Sequence, residues 1–222
     1  MAVKVKICGV RTPAIVDQAA EAGADYVGLV FFDSSPRRLT FEQASSLAQA
    51  ARGRIGTVAV LVDPDDALVD RVIDEVGPDL LQLHGSETPE RVSAIRMRTG
   101  KPVMKAISVA AANDVAKARL YAASANYVLF DAKAAPGAAL PGGNGVPFDW
   151  LALEGVAAPF ALSGGLTPDN VGDAIRLTGA DLVDVSSGVE QAPGEKDAEL
   201  VRRFIEAAKS TVRQAKAKAH EC

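Results

Sequence analysis

Cysteine, histidine and tryptophan are scarce in this sequence of 222 residues, which has two cysteines, two histidines and one tryptophan. Because one cysteine is the last residue, Cys222, we expect no structural disulfide, and a reducing cytoplasm is the default compartment. A zinc site needs about three protein ligands, and His84 has no second histidine nearby because the other one is His220 in the tail. We therefore predict no metal.

Long apolar runs and an excess of positive charge are also missing. No run approaches the ~20 apolar residues that cross a bilayer, and the opening MAVKVKICGV lacks the apolar stretch of a signal peptide. The net charge of −4 creates no basic field that would attract nucleic acid or anionic lipid. We expect neither a membrane nor a nucleic-acid partner. An anionic small substrate would have to meet local positive charge or backbone N–H groups.

Short apolar segments, in contrast, recur along the whole chain and alternate with helix-like segments. Several are apolar on both faces, as parallel strands covered by helices should be. Eight strands are predicted, at 3–8, 26–31, 56–62, 80–84, 102–108, 126–131, 159–163 and 181–186. Eight such units, spaced by roughly 25–30 residues, predict a (β/α)₈ TIM barrel that forms a single domain over 1–222. The alternative is an open, doubly wound sheet, but the first strand is followed by CGVRTP rather than a glycine-rich turn.

Capping residues predict where several helices begin. Thr12, Thr40 and Thr167 are candidate N-caps, and the first and last of them precede a proline at the first helical position. A further helix is predicted over 111–123, and a weak one over 147–156. The final helix is predicted over 195–219, with a lysine-rich end that frays from about 214.

Polar residues follow several of the predicted strands, at the end where barrel enzymes carry their active groups. The opposite ends show nothing comparable. The strand-end candidates are Cys8, Gln82, His84, Asp131, Gly164, Gly165, Asp184, Ser186 and Ser187.

The two small-residue loops that hold Gly164–Gly165 and Ser186–Ser187 predict a phosphate site. Glycine lets backbone N–H groups approach an anion closely, and the loops after strands seven and eight often bind phosphate in barrels. The plainer interpretation is a pair of tight turns.

Asp131 ends an otherwise apolar strand, which makes it a candidate general acid; a helix cap or an ion pair with Lys133 is the alternative. Lys133 or Lys105 could instead form a Schiff base with a carbonyl substrate.

His84 could hydrogen-bond a ligand or have a structural role. Arg37 or Arg38 could hold a substrate carboxylate, although adjacent arginines are commonly just exposed.

The motifs KICGV, SPRR, LQLHG, FDAK, GGNG with FDW, LSGGL and DVSSGVE occur in this order along nearly the whole chain. The ordered set resembles the N-(5′-phosphoribosyl)anthranilate isomerase family of the tryptophan pathway. The resemblance implies a (β/α)₈ barrel without a cofactor, which converts a phosphorylated aminoaldose into an aminoketose by an Amadori rearrangement. Asn144 stands where family members usually carry threonine, and Arg38 where they commonly carry an aromatic residue.

Residue roles follow from the same resemblance. It implies that Cys8 is the general base, Asp131 the general acid and Arg37 the contact for the anthranilate carboxylate. Around them, the resemblance places the sugar and ring contacts, Gln82, His84 and Asp184, and the phosphate loops, Gly164, Gly165, Ser186 and Ser187.

Other functions stay open at this point. A related sugar-phosphate isomerase with paired aspartates would carry an aspartate where Cys8 stands, and indole-glycerol-phosphate synthase would show catalytic lysines and glutamates at several strand ends. A non-catalytic barrel that binds a phosphorylated ligand would keep the glycine loops yet tolerate loss of Cys8 and Asp131. The absence of an obvious apolar patch on the helices favours a monomer, with a homodimer as the alternative.

Overall fold

Eight parallel strands close into a barrel in the computed structural model, which describes residues 2–132, 149–154, 156 and 158–212. Each strand pairs with the next along the chain, and β8 pairs with β1. The strands are β1 (Lys4–Cys8), β2 (Tyr26–Val30), β3 (Gly56–Leu61), β4 (Leu80–Leu83), β5 (Val103–Val109), β6 (Tyr127–Ala132), β7 (Ala161–Leu162) and β8 (Leu182–Val185). The predicted barrel is confirmed, and β7 is three residues shorter than predicted.

Helices surround the barrel. They are α1 (Pro13–Glu21), α2 (Phe41–Ala51), α3 (Asp66–Glu75), α4 (Pro89–Thr99), α5 (Ala112–Val115), α6 (Val171–Thr178) and α7 (Ala198–Ser210). The predicted caps at Thr12 and Thr40 are confirmed, since their hydroxyls accept the N–H groups of Ile15 and Gln43. None of the helices in the described ranges is long and apolar enough to cross a membrane.

Three helix predictions need correction. The segment 111–123 forms only the short α5 and a 3₁₀ helix, Ala116–Tyr121, and the segment after β6 shows a 3₁₀ helix, Trp150–Leu153, within its described part. The predicted cap Thr167 does not begin α6, which starts at Val171. Asn170 accounts for this shift: its side chain accepts the Thr167 N–H and donates to the Gly165 carbonyl, so the intervening residues form a turn.

A two-stranded antiparallel hairpin between β8 and α7 was not predicted. It consists of β9 (Glu190–Ala192) and β10 (Glu195–Lys196) and adds two strands outside the barrel.

Alternation along the strands divides the buried side chains into two groups. In β1, Val5 and Ile7 face the helices and belong to the main apolar core, whereas Lys6 and Cys8 face the barrel interior. The lower interior is filled by an apolar cluster of Val58, Leu80, Met104, Ala106, Leu129, Ala161 and Leu182. Polar side chains lie above this cluster, at the carboxyl ends of the strands. The fold therefore places an apolar floor beneath a polar site.

Candidate active site

A cavity of about 720 Å³ opens at the carboxyl ends of the barrel strands. All ten residues predicted from the sequence as site residues line it. Its wall consists of Cys8, Val30, Phe32, Ser35, Arg37, Val60, Val62, Gln82, His84, Asp131, Ser163, Gly164, Gly165, Leu166, Asp184, Val185, Ser186, Ser187 and Gly188. The structure thus brings residues from six barrel strands and two glycine loops into one cavity.

Cys8 lies above a buried ion pair. Lys6, two residues earlier on the same face of β1, is fully buried, and its Nζ lies 2.9 Å from Oδ2 of Asp184 on β8. Gly28 on the neighbouring β2 leaves room for both side chains of β1. A Cβ at this glycine would lie 2.9 Å from Cys8 Sγ and 3.1 Å from Lys6 Nζ. The thiol and the ammonium group therefore share one narrow space inside the barrel.

Burial and charge act in opposite directions on these groups. Burial raises the pKa of the Cys8 thiol, the Lys6 ammonium opposes this effect, and the Asp184 charge adds to it, so the pKa is raised overall. Burial alone would lower the pKa of Lys6, but Asp184 and Cys8 raise it above its usual value. Burial raises the pKa of Asp184, against the effect of Lys6. At neutral pH the ligand-free protein accordingly holds a neutral thiol above a lysine that stays protonated.

Asp131, at the carboxyl end of β6, is held by two donors. The Ser163 hydroxyl donates to Oδ1 at 2.6 Å, and Nε2 of His84 lies 3.1 Å from Oδ2. Nε2 of Gln82 lies 2.9 Å from the other ring nitrogen of His84. With the Gln82 amide assigned this way, His84 carries its proton on Nε2 and donates it to Asp131. The chain of contacts fixes both the rotamer of Asp131 and the orientation of the histidine ring.

Two buried oxygen atoms in the cavity wall accept no hydrogen bond from the described residues: Oε1 of Gln82 and Oδ1 of Asp184. Buried polar atoms are rarely left without a partner. Gln82 and Asp184 both line the cavity, so these oxygens are candidates to accept hydrogen bonds from hydroxyl or N–H groups of a ligand.

Gly164 and Gly165 follow β7 with φ angles of +88° and +66°. Only glycine adopts this backbone region without strain, and a Cβ at Gly164 would lie 2.4 Å from the backbone nitrogen of Ala132. Neither amide N–H donates to another group in the part of the chain that the structure describes. Two consecutive N–H groups in left-handed conformations form a concave surface suited to an anion. Ser186 and Ser187 line the same part of the wall, after β8.

Arg37 and Arg38 differ in their surroundings. Arg37 lines the cavity, is 7% exposed, and binds Glu190 of β9 through two hydrogen bonds of 2.8 Å. Arg38 points to the surface, where it pairs with Asp33 at 3.1 Å. The geometry therefore favours Arg37 over Arg38 as the cavity cation.

The Schiff-base alternative does not fit Lys105. Its Nζ lies under the loop after β4, where it donates to the Gly85 carbonyl and pairs with Glu87 at 2.8 Å, and the residue is absent from the cavity wall. Residue 105 faces the helices because it alternates with Met104, which belongs to the barrel interior. The other lysine considered, Lys133, and the atypical Asn144 lie outside the described residues.

Three functional candidates were missed in the sequence. Lys6 could have been identified as a site residue, because it lies two residues before Cys8 in β1 and its side chain must face the same side of the strand. Glu190 and Lys196 belong to the unpredicted hairpin, and only the motif DVSSGVE with its later PG and KD hinted at them. Nothing in the sequence indicated that Glu190 would bind Arg37 or that Lys196 would bind Glu190.

Comparisons with known proteins identify the family that this chain resembles. A family model described as "PRAI: N-(5'phosphoribosyl)anthranilate (PRA) isomerase" matches residues 5–207. An N-(5'-phosphoribosyl)anthranilate isomerase from Paramagnetospirillum magneticum is 55% identical over 211 residues, which cover 94% of this chain and 98% of the relative. The isomerase from Rhodopseudomonas palustris strain BisA53 is 54% identical over 215 residues, 96% and 99% of the two chains.

Solved structures show the same similarity. The phosphoribosylanthranilate isomerase from Thermotoga maritima superposes with a TM-score of 0.83 at 34% identity, over 93% of this chain and 98% of that one. A phosphoribosylanthranilate isomerase solved in complex with reduced 1-(o-carboxyphenylamino)-1-deoxyribulose 5-phosphate superposes with a TM-score of 0.80 at 33% identity, over the same shares of the two chains.

Proposed function

This chain belongs to the N-(5'-phosphoribosyl)anthranilate isomerase family, and we propose that Cys8 and Asp131 are its general base and general acid. The enzyme converts N-(5-phosphoribosyl)anthranilate into 1-(2-carboxyphenylamino)-1-deoxyribulose 5-phosphate, an Amadori rearrangement in tryptophan biosynthesis. The observation that carries the residue assignment is the placement of a thiol and a carboxyl group on non-adjacent strands, β1 and β6, facing the same cavity. A substrate in the cavity would thus have an acid and a base on different sides.

The first step is protonation of the furanose ring oxygen by Asp131. This transfer opens the ring and leaves a protonated imine at C1′. Ser163 and His84 keep the carboxyl group in one rotamer, so that the proton is delivered along a fixed direction. Positioned acids of this kind contribute about 10²–10⁴-fold to the rate of proton transfer.

The second step is removal of the C2′ proton by Cys8. The thiol must first release its proton to solvent, although its pKa is raised by burial, and Asp131, left as a carboxylate by the first step, regains a proton from solvent. Three positive charges favour the thiolate: the ammonium groups of Lys6 and Lys196, and the imine that ring opening creates next to it. The bonding electrons of C2′–H then neutralise the imine, and the resulting enolamine tautomerises to the ketone. Ionisation of Cys8 is therefore coupled to the presence of the ring-opened substrate.

Binding of the two ends of the substrate is assigned to separate groups. Arg37 meets the anthranilate carboxylate, because it is the arginine in the cavity wall. The phosphate binds at the loops that hold Gly164, Gly165, Ser186 and Ser187, and this placement is supported by the two glycine N–H groups, which donate to no group within the described residues. Sugar hydroxyls donate to the unpartnered oxygens of Gln82 and Asp184.

The catalytic assignment is tested with purified variants and freshly prepared phosphoribosylanthranilate, whose consumption is followed by fluorescence. Cys8→Ser and Asp131→Asn should each lower kcat by about 10²–10⁴-fold. Both should still bind the reduced product analogue in calorimetry. Cys222→Ser and Asp33→Asn are the matched controls, and they should retain full turnover. Near-normal kcat in Cys8→Ser or Asp131→Asn would overturn the corresponding role.

We also place the enzyme in the cytoplasm and assign it a monomeric state. The monomer is supported by the exposed large apolar side chains, since each belongs to a different segment: Met97, Leu120, Tyr127, Leu151, Leu177 and Val212. Sedimentation should give the mass of one chain, 23.0 kDa. Twice that mass would contradict the monomer.

A further inference from the structure

Glu190 and Lys196, on the hairpin outside the barrel, form a buried cluster with Arg37. Glu190 accepts hydrogen bonds from Nε and Nη2 of Arg37, both of 2.8 Å, and from Nζ of Lys196 at 2.7 Å. The exposed fractions of the three side chains are 8% for Arg37, 5% for Glu190 and 1% for Lys196. Neither hairpin residue lines the cavity, so neither touches a substrate there.

We propose that Glu190 is a positioning residue, which aims the guanidinium of Arg37 at the substrate carboxylate, with Lys196 holding Glu190 in place. This inference rests on the proposed role of Arg37 as the carboxylate contact. It extends that role, because it makes the β9–β10 hairpin responsible for the recognition of one end of the substrate.

The hydrogen-bonding pattern of Arg37 supports a directed arrangement. A guanidinium has five N–H donors in one plane, and Glu190 occupies the edge formed by Nε and Nη2. The donors that remain are both N–H groups of Nη1 and one of Nη2, at the end of the side chain. A carboxylate in the cavity must therefore approach Arg37 end-on, which restricts the angle at which an anthranilate ring can enter.

Backbone packing restricts the rest of the Arg37 side chain. A Cβ at Gly9 would lie 2.5 Å from Cδ of Arg37, so the stem lies directly against the backbone that follows Cys8. The Arg37 N–H donates to the Ser35 hydroxyl at 3.2 Å. At the hairpin turn, a Cβ at Gly194 would lie 2.7 Å from the carbonyl oxygen of Pro36. Both ends of Arg37 are thus fixed, by the loop backbone and by Glu190.

Lys196 supplies the positive charge that the Arg37–Glu190 ion pair lacks as a whole. The pair by itself is neutral and would attract a carboxylate weakly, whereas Lys196 gives the cluster a net charge of +1. Burial lowers the pKa of Lys196, and although the contact with Glu190 opposes that effect, the pKa stays below its usual value, so the charge of +1 holds for the protonated form of Lys196. Lys196 also donates to the Ser186 carbonyl at 2.9 Å. It therefore connects the carboxylate end of the cavity to the loop assigned to the phosphate.

The test compares two substrates, phosphoribosylanthranilate and the same aminoaldose phosphate made from aniline, which lacks the carboxylate. The quantity measured is the ratio of their KM values. Glu190→Gln should raise KM for the carboxylate substrate about tenfold or more, as expected for a hydrogen bond to a charged group, with little change for the aniline compound and a smaller effect on kcat. Arg37→Met should lower the same selectivity, whereas Arg38→Met, the exposed neighbour, should not.

Calorimetry with the reduced product analogue, with and without its carboxylate, measures the same selectivity independently of turnover. If Glu190→Gln is too unstable to purify, Glu190→Asp retains the charge and shortens the reach, and it should lose part of the selectivity. Full selectivity in the Glu190 variants together with its loss in Arg37→Met would overturn this inference and leave the role of Arg37 intact. Full selectivity in Arg37→Met would overturn both.

Discussion

Replacing Lys6 with methionine removes the ammonium group beside Cys8 while nearly preserving the length of the side chain. Lys6 is fully buried and pairs with Asp184 at 2.9 Å, so the substitution leaves a buried carboxylate without its cation. Removal of one partner of a buried ion pair costs about 3–5 kcal/mol of stability. For a chain of this length each kcal/mol corresponds to about 2–4 °C, so Tm should fall by about 6–20 °C.

The loss should depend on pH with a definite sign. Without Lys6, burial and the charge of Asp131 hold the pKa of the Asp184 carboxyl above the value in the unfolded chain, about 3.9, with only His84 acting against them. Asp184 therefore binds a proton more readily in the folded variant than in the unfolded chain. The stability that this protonation contributes to the folded variant is lost as pH rises through the folded pKa. The Tm deficit of Lys6→Met should therefore be larger at pH 8 than at pH 5. The double variant Lys6→Met/Asp184→Asn should recover most of the deficit, because neither charge remains.

The same variants should change the reactivity of Cys8 in opposite directions. Lys6 lowers the pKa of the thiol and Asp184 raises it, so loss of the lysine should raise the pH midpoint of alkylation and Asp184→Asn should lower it. Alkylation by iodoacetamide is measured in a Cys222→Ser background, so that it reports on Cys8 alone. A Lys6→Met protein with the parental Tm at pH 8, or with an unchanged alkylation midpoint, would refute this account of the ion pair.

Two further substitutions test the geometry of the cavity. Arg37→Ala should raise KM for phosphoribosylanthranilate about tenfold or more, as loss of a charged hydrogen bond predicts. Arg38→Ala should change KM little, because Arg38 points to solvent. The reverse order of the two KM values would move the carboxylate contact to Arg38. Gly28→Ala introduces a Cβ 2.9 Å from Cys8 Sγ and 3.0 Å from its Cα, so Cys8, the proposed base, must shift and kcat should fall by up to about 10²-fold. Unchanged kcat in a variant with normal circular dichroism would contradict the tight fit.

The barrel was predictable because its signal repeats eight times. Each strand is a short apolar run. Small errors at strand ends, such as the prediction of 159–163 for β7, do not change the number or the order of the strands. The segment 111–123 was harder, since its alanines favour a helix but tertiary packing decides for short segments. The start of α6 depended on Asn170 bonding to two backbone groups, which no local propensity expresses.

The site was predictable to the extent that it follows strand ends. The rule that barrel enzymes act at the carboxyl ends of strands placed Cys8 and Asp131 in one cavity, and the resemblance to a family supplied the roles that we propose for them. The contacts that tune them were not predictable in the same way. The partner of Lys6 is 178 residues away, and the Glu190–Arg37 pair spans 153. Contacts over such separations are set by the closed fold rather than by sequence spacing.

The Lys6–Asp184 pair joins the first strand of the barrel to the last, which has a consequence for synthesis of the chain. During translation β1 is made first, and its lysine has no anionic partner in the barrel interior until β8 has left the ribosome. Closure of the barrel, formation of the Lys6–Asp184 ion pair and completion of the surroundings of Cys8 therefore coincide in one event. A nascent chain or a truncated product that ends before β8 should be inactive, whatever part of the barrel it has already formed, and this enzyme cannot act on its substrate while still incomplete.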